Sequence, residues 1–165
     1  MRFLILIIFY STILFLAIRP KLSIIIEKND FYHQNKTLID ETVSIFEEKC
    51  RPKKDIDLKI KFDFLPEQIV DINPYQNGLT SIFKTESFVE VNKSKFYDMD
   101  DVSRKNLLLH EVGHAIGLGH VDQEEDVMNP AQQKKVDYNA FFKKIENHCK
   151  QMEDVPREID FLSKS

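Results

Sequence analysis

The sequence has little of what would mark a nucleic-acid binder, a repeat protein or a linker-rich chain. It lacks a basic stripe: 23 lysines and arginines are interleaved with 27 aspartates and glutamates, giving a net charge of −4. Nucleic-acid partners ordinarily demand such a stripe, so none is expected, and the mixed charge reads as a solvated surface. Glycine is scarce, at four residues, and neither an internal repeat nor a low-complexity linker is visible. Cysteine is limited to Cys50 and Cys149. That pair permits one disulfide in an exported chain and equally fits two thiols in a reduced one.

Long apolar runs are also missing, with one exception. Phe3 to Ile18 carries no charge, and Arg2 and Arg19-Pro20-Lys21 flank it. The run is long for the apolar core of a signal peptide and short for a bilayer span. It shows no small-x-small cleavage pattern and no nearby cysteine for a lipid. Residues 1–20 are therefore expected to be an export signal retained as a membrane anchor, or a cleaved signal. Residues 3–18 are the candidate for membrane association, and the flanking charges leave its orientation open. Residues 21–165 are expected to form one domain, monomeric and outside the cytoplasm, whether secreted or membrane-anchored.

Within that domain the periodicity changes several times. Leu22–Ile26 is a short β-branched run, expected to be a strand. Asn35 to Cys50 repeats Ile39, Val43, Phe46 and Cys50 at helical spacing and is stopped by Arg51-Pro52. Ile56 to Phe64 alternates apolar and charged residues, the pattern of a half-buried strand closed by Pro66. Asn73-Pro74 and Asn77-Gly78 mark a loop. Leu79 to Lys84 and Ser87 to Asn92 read as two strands around a turn at Thr85-Glu86. Asp100 or Asp101 can cap a helix carrying Val102, Leu107, Leu108, Val112, Ala115 and Ile116. Asp137 can cap a last helix with the stripe Ala140, Phe141, Ile145 and Cys149. Strands and helices do not alternate one for one, so an α+β fold is expected: a small mixed sheet packed on about three helices.

The chemistry concentrates in His110-Glu111-Val112-Gly113-His114-Ala115-Ile116-Gly117-Leu118-Gly119-His120. Histidines at i and i+4 share one helical face, so His110 and His114 can grip one ion. Zinc favours imidazole, and catalytic sites leave one position open for water. Glu111 lies beside the pair as a general base. Gly117 allows the left-handed backbone of a sharp helix exit, after which His120 can return as third ligand. Carbonyls or carboxylates should orient the histidines; Asp122, Glu124, Glu125 and Asp126 are candidates, although a solvated acidic loop is the expected role for most of them.

This stretch resembles the metzincin signature of zinc peptidases, and it is most similar to the matrixin branch. Val127-Met128-Asn129-Pro130 follows, with Met128 eight residues after His120, like the matrixin methionine turn. The resemblance implies a zincin-like fold with a zinc-binding helix and a methionine turn, and one catalytic Zn2+ held by His110, His114 and His120. It implies Met128 beneath the metal, and Glu111 as base for a zinc-activated water that attacks a peptide bond. A protein or peptide is the implied substrate, and Leu79 to Phe83 the edge strand that pairs with it. The chain departs from the branch in four ways, the first being Val121 after His120, which is not the usual matrixin choice. His33 alone precedes His110, which removes the ligands of a second, structural zinc. The calcium loops are not recognisable. Cys50-Arg51-Pro52 does not match the cysteine-switch motif, so Cys50 is expected to be structural. Two other readings stand beside the endopeptidase: a non-catalytic zinc-binding interaction module, and a zinc amidase acting on cell-wall peptides.

Overall fold

A computed structural model describes residues 20–83, 86–131 and 135–155. The expected export or anchor segment lies outside the described residues, as do Lys84 and Thr85 of the expected turn. Among the described residues no helix is long and apolar enough to cross a membrane.

Four strands form one mixed sheet in the order β1-β2-β4-β3. β1 (Leu22–Ile26) and β2 (Ile56–Phe64) run parallel, β2 and β4 (Ser87–Val91) run parallel, and β3 (Gly78–Ile82) is antiparallel to β4 at the edge. The alternation along β2 sets its register. Ile56, Leu58, Ile60 and Phe62 are buried, while Asp57 and Lys59 face solvent. A slip of one residue would exchange those faces. Val89 and Val91 of β4 continue the buried side.

Three longer helices pack on that face: α2 (Lys36–Lys49), α5 (Asp101–Ala115) and α6 (Tyr138–Cys149). Ile39, Val43 and Phe46 of α2 lie one turn apart and are buried. Phe46 meets Phe141 of α6 edge-on, with ring centroids 6.2 Å apart. Phe46, Phe62, Phe96 and Phe141 are fully buried, and each such ring stabilises the fold by roughly 2–3 kcal/mol. A disulfide joins Cys50, just past α2, to Cys149 at the end of α6, across a sequence separation of 99.

Three single-turn helices were not expected: α1 (Asp30–Gln34), α3 (Glu67–Ile72) and α4 (Lys93–Asp98). Each is too short for apolar periodicity to register. Pro66 does more than close β2, because it stands at the N-cap of α3. Two positions read as core are not. Val102 is 53% exposed in the first turn of α5, and Ala140 is exposed on α6. The stripe of α6 is Phe141, Ile145 and Cys149 without Ala140.

Candidate metal centre

The helix α5 starts where Asp100 accepts a hydrogen bond from the Ser103 amide at 2.8 Å. From Asn106 to Ala115 every residue is buried, because the helix lies against β3 and β4 on one side and α2 on another. It ends in a Schellman motif. Gly117, at φ 93°, donates to the His114 carbonyl, and Leu118 donates to the Gly113 carbonyl. This pattern needs a left-handed residue, which glycine adopts without strain. The chain reverses there and returns His120 to the helix.

Three imidazoles converge as a result. Nε2 of His114 lies 3.0 Å from Nε2 of His110 and 3.0 Å from Nε2 of His120. Nδ1 of His110 is 2.8 Å from the Val127 carbonyl oxygen, and Nδ1 of His114 is 2.8 Å from that of Leu118. A carbonyl only accepts, so each Nδ1 carries the hydrogen and each Nε2 turns a lone pair inward. Burial, together with the neighbouring imidazoles, pushes His114 down to about 4 and also lowers His110. Both are neutral at physiological pH, as ligands must be.

The trio could hold a metal ion, and its donor set fits zinc. Three nitrogens on a tetrahedral zinc, with bonds of about 2.0–2.1 Å, stand about 3.3 Å apart, close to the observed spacing. His110 and His114 are buried and His120 is exposed.

Backbone carbonyls orient the two buried histidines through Nδ1. Asp122, Glu124 and Glu125 point to solvent. Asp126 turns inward and acts one step away. It accepts from the Met128 amide at 2.8 Å and pairs with Lys144 of α6. That fixes the turn from which Val127 reaches His110. Met128 is fully buried, and its carbonyl accepts from Val121 to close the loop. It packs on the helix backbone so tightly that a Cβ on Gly113 would meet its Sδ at 2.6 Å. The helix α6 also reaches the helix exit, where Nε2 of His148 lies 2.7 Å from the Ile116 carbonyl oxygen.

Glu111 is 4% exposed, and burial pushes its carboxyl up to about 7. The Thr80 hydroxyl of β3 lies 2.7 Å from its Oε2 and 2.9 Å from its carbonyl oxygen, partly offsetting that rise. Sequence patterns did not single out Thr80, Gly113 or Lys144, and offered Asp126 only among the candidates to orient the histidines. The available signal for Thr80 was its place in β3, in phase with Ile82.

Against family models, residues 18–147 match the one described as Matrixin. No curated protein and no solved structure matches the chain.

Proposed function

Because the chain belongs to the matrixin family of zinc-dependent metallopeptidases, we propose that it is an endopeptidase in which His110, His114 and His120 hold the catalytic zinc and Glu111 is the general base. One observation carries this reading. A carboxylate is buried beside the histidine trio, and its hydrogen-bond partner among the described residues is the neutral Thr80 hydroxyl. Burying an uncompensated acid is costly, and a zinc site serving stability alone has no use for one.

Zinc at the trio supplies Lewis acidity for activating water and polarising a carbonyl. The chain supplies the rest. Glu111 takes a proton from the attacking water and delivers it to the departing amine. An upward-shifted carboxyl suits both steps near neutral pH. The carbonyls of Val127 and Leu118 keep the Nε2 lone pairs of His110 and His114 aimed inward. Strand β3, at the sheet edge, has one side that no other described strand pairs with, where an extended peptide would add as a further strand. The Cys50–Cys149 disulfide supports a setting outside the reducing cytoplasm, in keeping with reading residues 3–18 as an export or anchor segment.

The test is cleavage of a proteome-derived peptide library by residues 21–165 with zinc, with chelator, and as Glu111→Gln. Internal cleavage that chelator abolishes, and that Glu111→Gln lowers by about 10²-fold or more with zinc retained, is the expected result. Full activity in Glu111→Gln would remove the base assignment. A zinc-loaded chain inert across the library would favour a binding module instead.

A further inference from the structure

The reading of Glu111 as base leaves open what holds its carboxylate, and the edge strand answers. Gly78, Thr80 and Ile82 follow one another at a spacing of two residues, so they share one face of β3. Their register is fixed by pairing to the core strand β4, with Gly78 opposite Val91 and Thr80 opposite Val89. Both valines are fully buried. The two smaller residues of that face meet the two oxygens of Glu111. The Thr80 hydroxyl is 2.7 Å from Oε2. On the other side, a Cβ on Gly78 would stand 2.3 Å from Oε1 and 2.8 Å from the carboxyl carbon. The absent side chain is thus the space that Oε1 occupies.

We propose that Thr80 is a positioning residue for Glu111, and that β3 sets the orientation of the base with the same residues that would set the register of a bound peptide. The hydroxyl has one proton and two acceptors in reach, Oε2 at 2.7 Å and the Glu111 carbonyl at 2.9 Å. It donates to Oε2 while Glu111 is a carboxylate. Once Glu111 holds the proton taken from water, the hydroxyl can donate to the carbonyl and accept from the carboxyl. A β-branched residue suits this task, because few χ1 rotamers are open to it. A peptide added to the outer edge of β3 then shares one rigid frame with the base, which is what orientation-dependent catalysis needs.

This inference rests on the endopeptidase reading for its kinetic arm and is independent of it for its stability arm. In the zinc-loaded chain, Thr80→Val keeps the shape and removes the hydroxyl. It should lower kcat on the order of 10- to 100-fold, leave KM and zinc affinity by chelator competition unchanged, and be largely rescued in Thr80→Ser. In the metal-free chain, Thr80→Val should lower the melting temperature when Glu111 is present and lower it clearly less in a Glu111→Leu background. Unchanged kcat in Thr80→Val overturns the proposal. So do equal melting shifts in both backgrounds, since the hydroxyl would then serve only the helix carbonyl. A wild-type chain without peptidase activity defeats the functional reading, and the melting comparison alone then decides whether Thr80 holds Glu111.

Discussion

The carbonyl oxygen of Val127 stands 2.8 Å from Nδ1 of His110, seventeen residues earlier in the chain. The residue just before the buried methionine therefore decides which nitrogen of His110 faces the metal position. The methionine turn is part of the geometry of the histidine trio, and whatever holds the turn also holds His110.

Asp126 and Lys144 hold it. The Asp126 side chain is 4% exposed and that of Lys144 is 27% exposed, so the pair is screened less than a surface ion pair. Asp126→Asn keeps an acceptor for the Met128 amide and leaves the Lys144 ammonium without its partner. Zinc affinity should fall about tenfold, within the range seen when groups supporting a ligand are lost. Competition against a chelator measures this, and an unchanged affinity would separate the turn from the ligand.

Two buried groups give the metal-free protein opposite pH dependences. Burial, with the neighbouring imidazoles, pushes folded His114 down from its ordinary 6.5 to about 4. Between those values the unfolded chain holds the proton, so this contribution to stability is lost as the pH falls from 6.5 towards 4. Burial pushes folded Glu111 up from its ordinary 4.5 to about 7. Here the folded chain holds the proton, so its contribution is present below 4.5 and lost as the pH rises through 7. Above pH 7 the ionised carboxylate costs about 3 kcal/mol. Glu111→Gln should thus raise the melting temperature at pH 8 and leave it nearly unchanged at pH 4.5. A rise of equal size at both pH values would contradict the assignment.

Gly113→Ala tests the packing of the helix on Met128. Alanine is ordinarily the better helix residue, by about 1 kcal/mol. Here its Cβ would lie 2.6 Å from the methionine sulfur, and overpacking of that kind costs about 1–3 kcal/mol. The variant should melt below wild type and bind zinc more weakly. Gly119→Ala is the control, since a Cβ there meets nothing within 4 Å.

Removing the disulfide should be costly. A bridge closing a loop of about 100 residues is worth about 4–5 kcal/mol in the chain-entropy account. Cys50→Ser with Cys149→Ser should lower the urea midpoint accordingly. Because Cys149 neighbours His148, which reaches the Ile116 carbonyl, zinc affinity should fall as well. A midpoint within error of wild type would contradict this.

Much of this architecture was legible from residues alone, for identifiable reasons. β2 could be read to its ends because one face is core and the other charged, which forces alternation. The ends of α5 could be read because Asp100 and Gly117 each do a job few residues can do. The histidine trio is local in sequence, so its spacing carried the geometry. The grip of β3 on Glu111 was not legible, because Thr80 and Glu111 are 31 residues apart and only the fold brings them together. The orienting groups of His110 and His114 were hidden for another reason. They are backbone carbonyls, and no side-chain identity marks them. Val102 and Ala140 misled because single apolar residues at helix starts are often solvent-facing, and the pattern gives them no weight of their own.

The Cys50–Cys149 bridge also turns most of the chain into a ring. β2, β3, β4, α5, the acidic loop and α6 all lie between the two cysteines. A peptidase is exposed to its own kind of cut, and Asp122 to Glu125 form an exposed stretch just past His120. One cut there opens the ring but severs nothing: both new ends stay on a single molecule, with α6 still tied to α2. Such a nicked protein would run as one species without reductant and as two fragments with it.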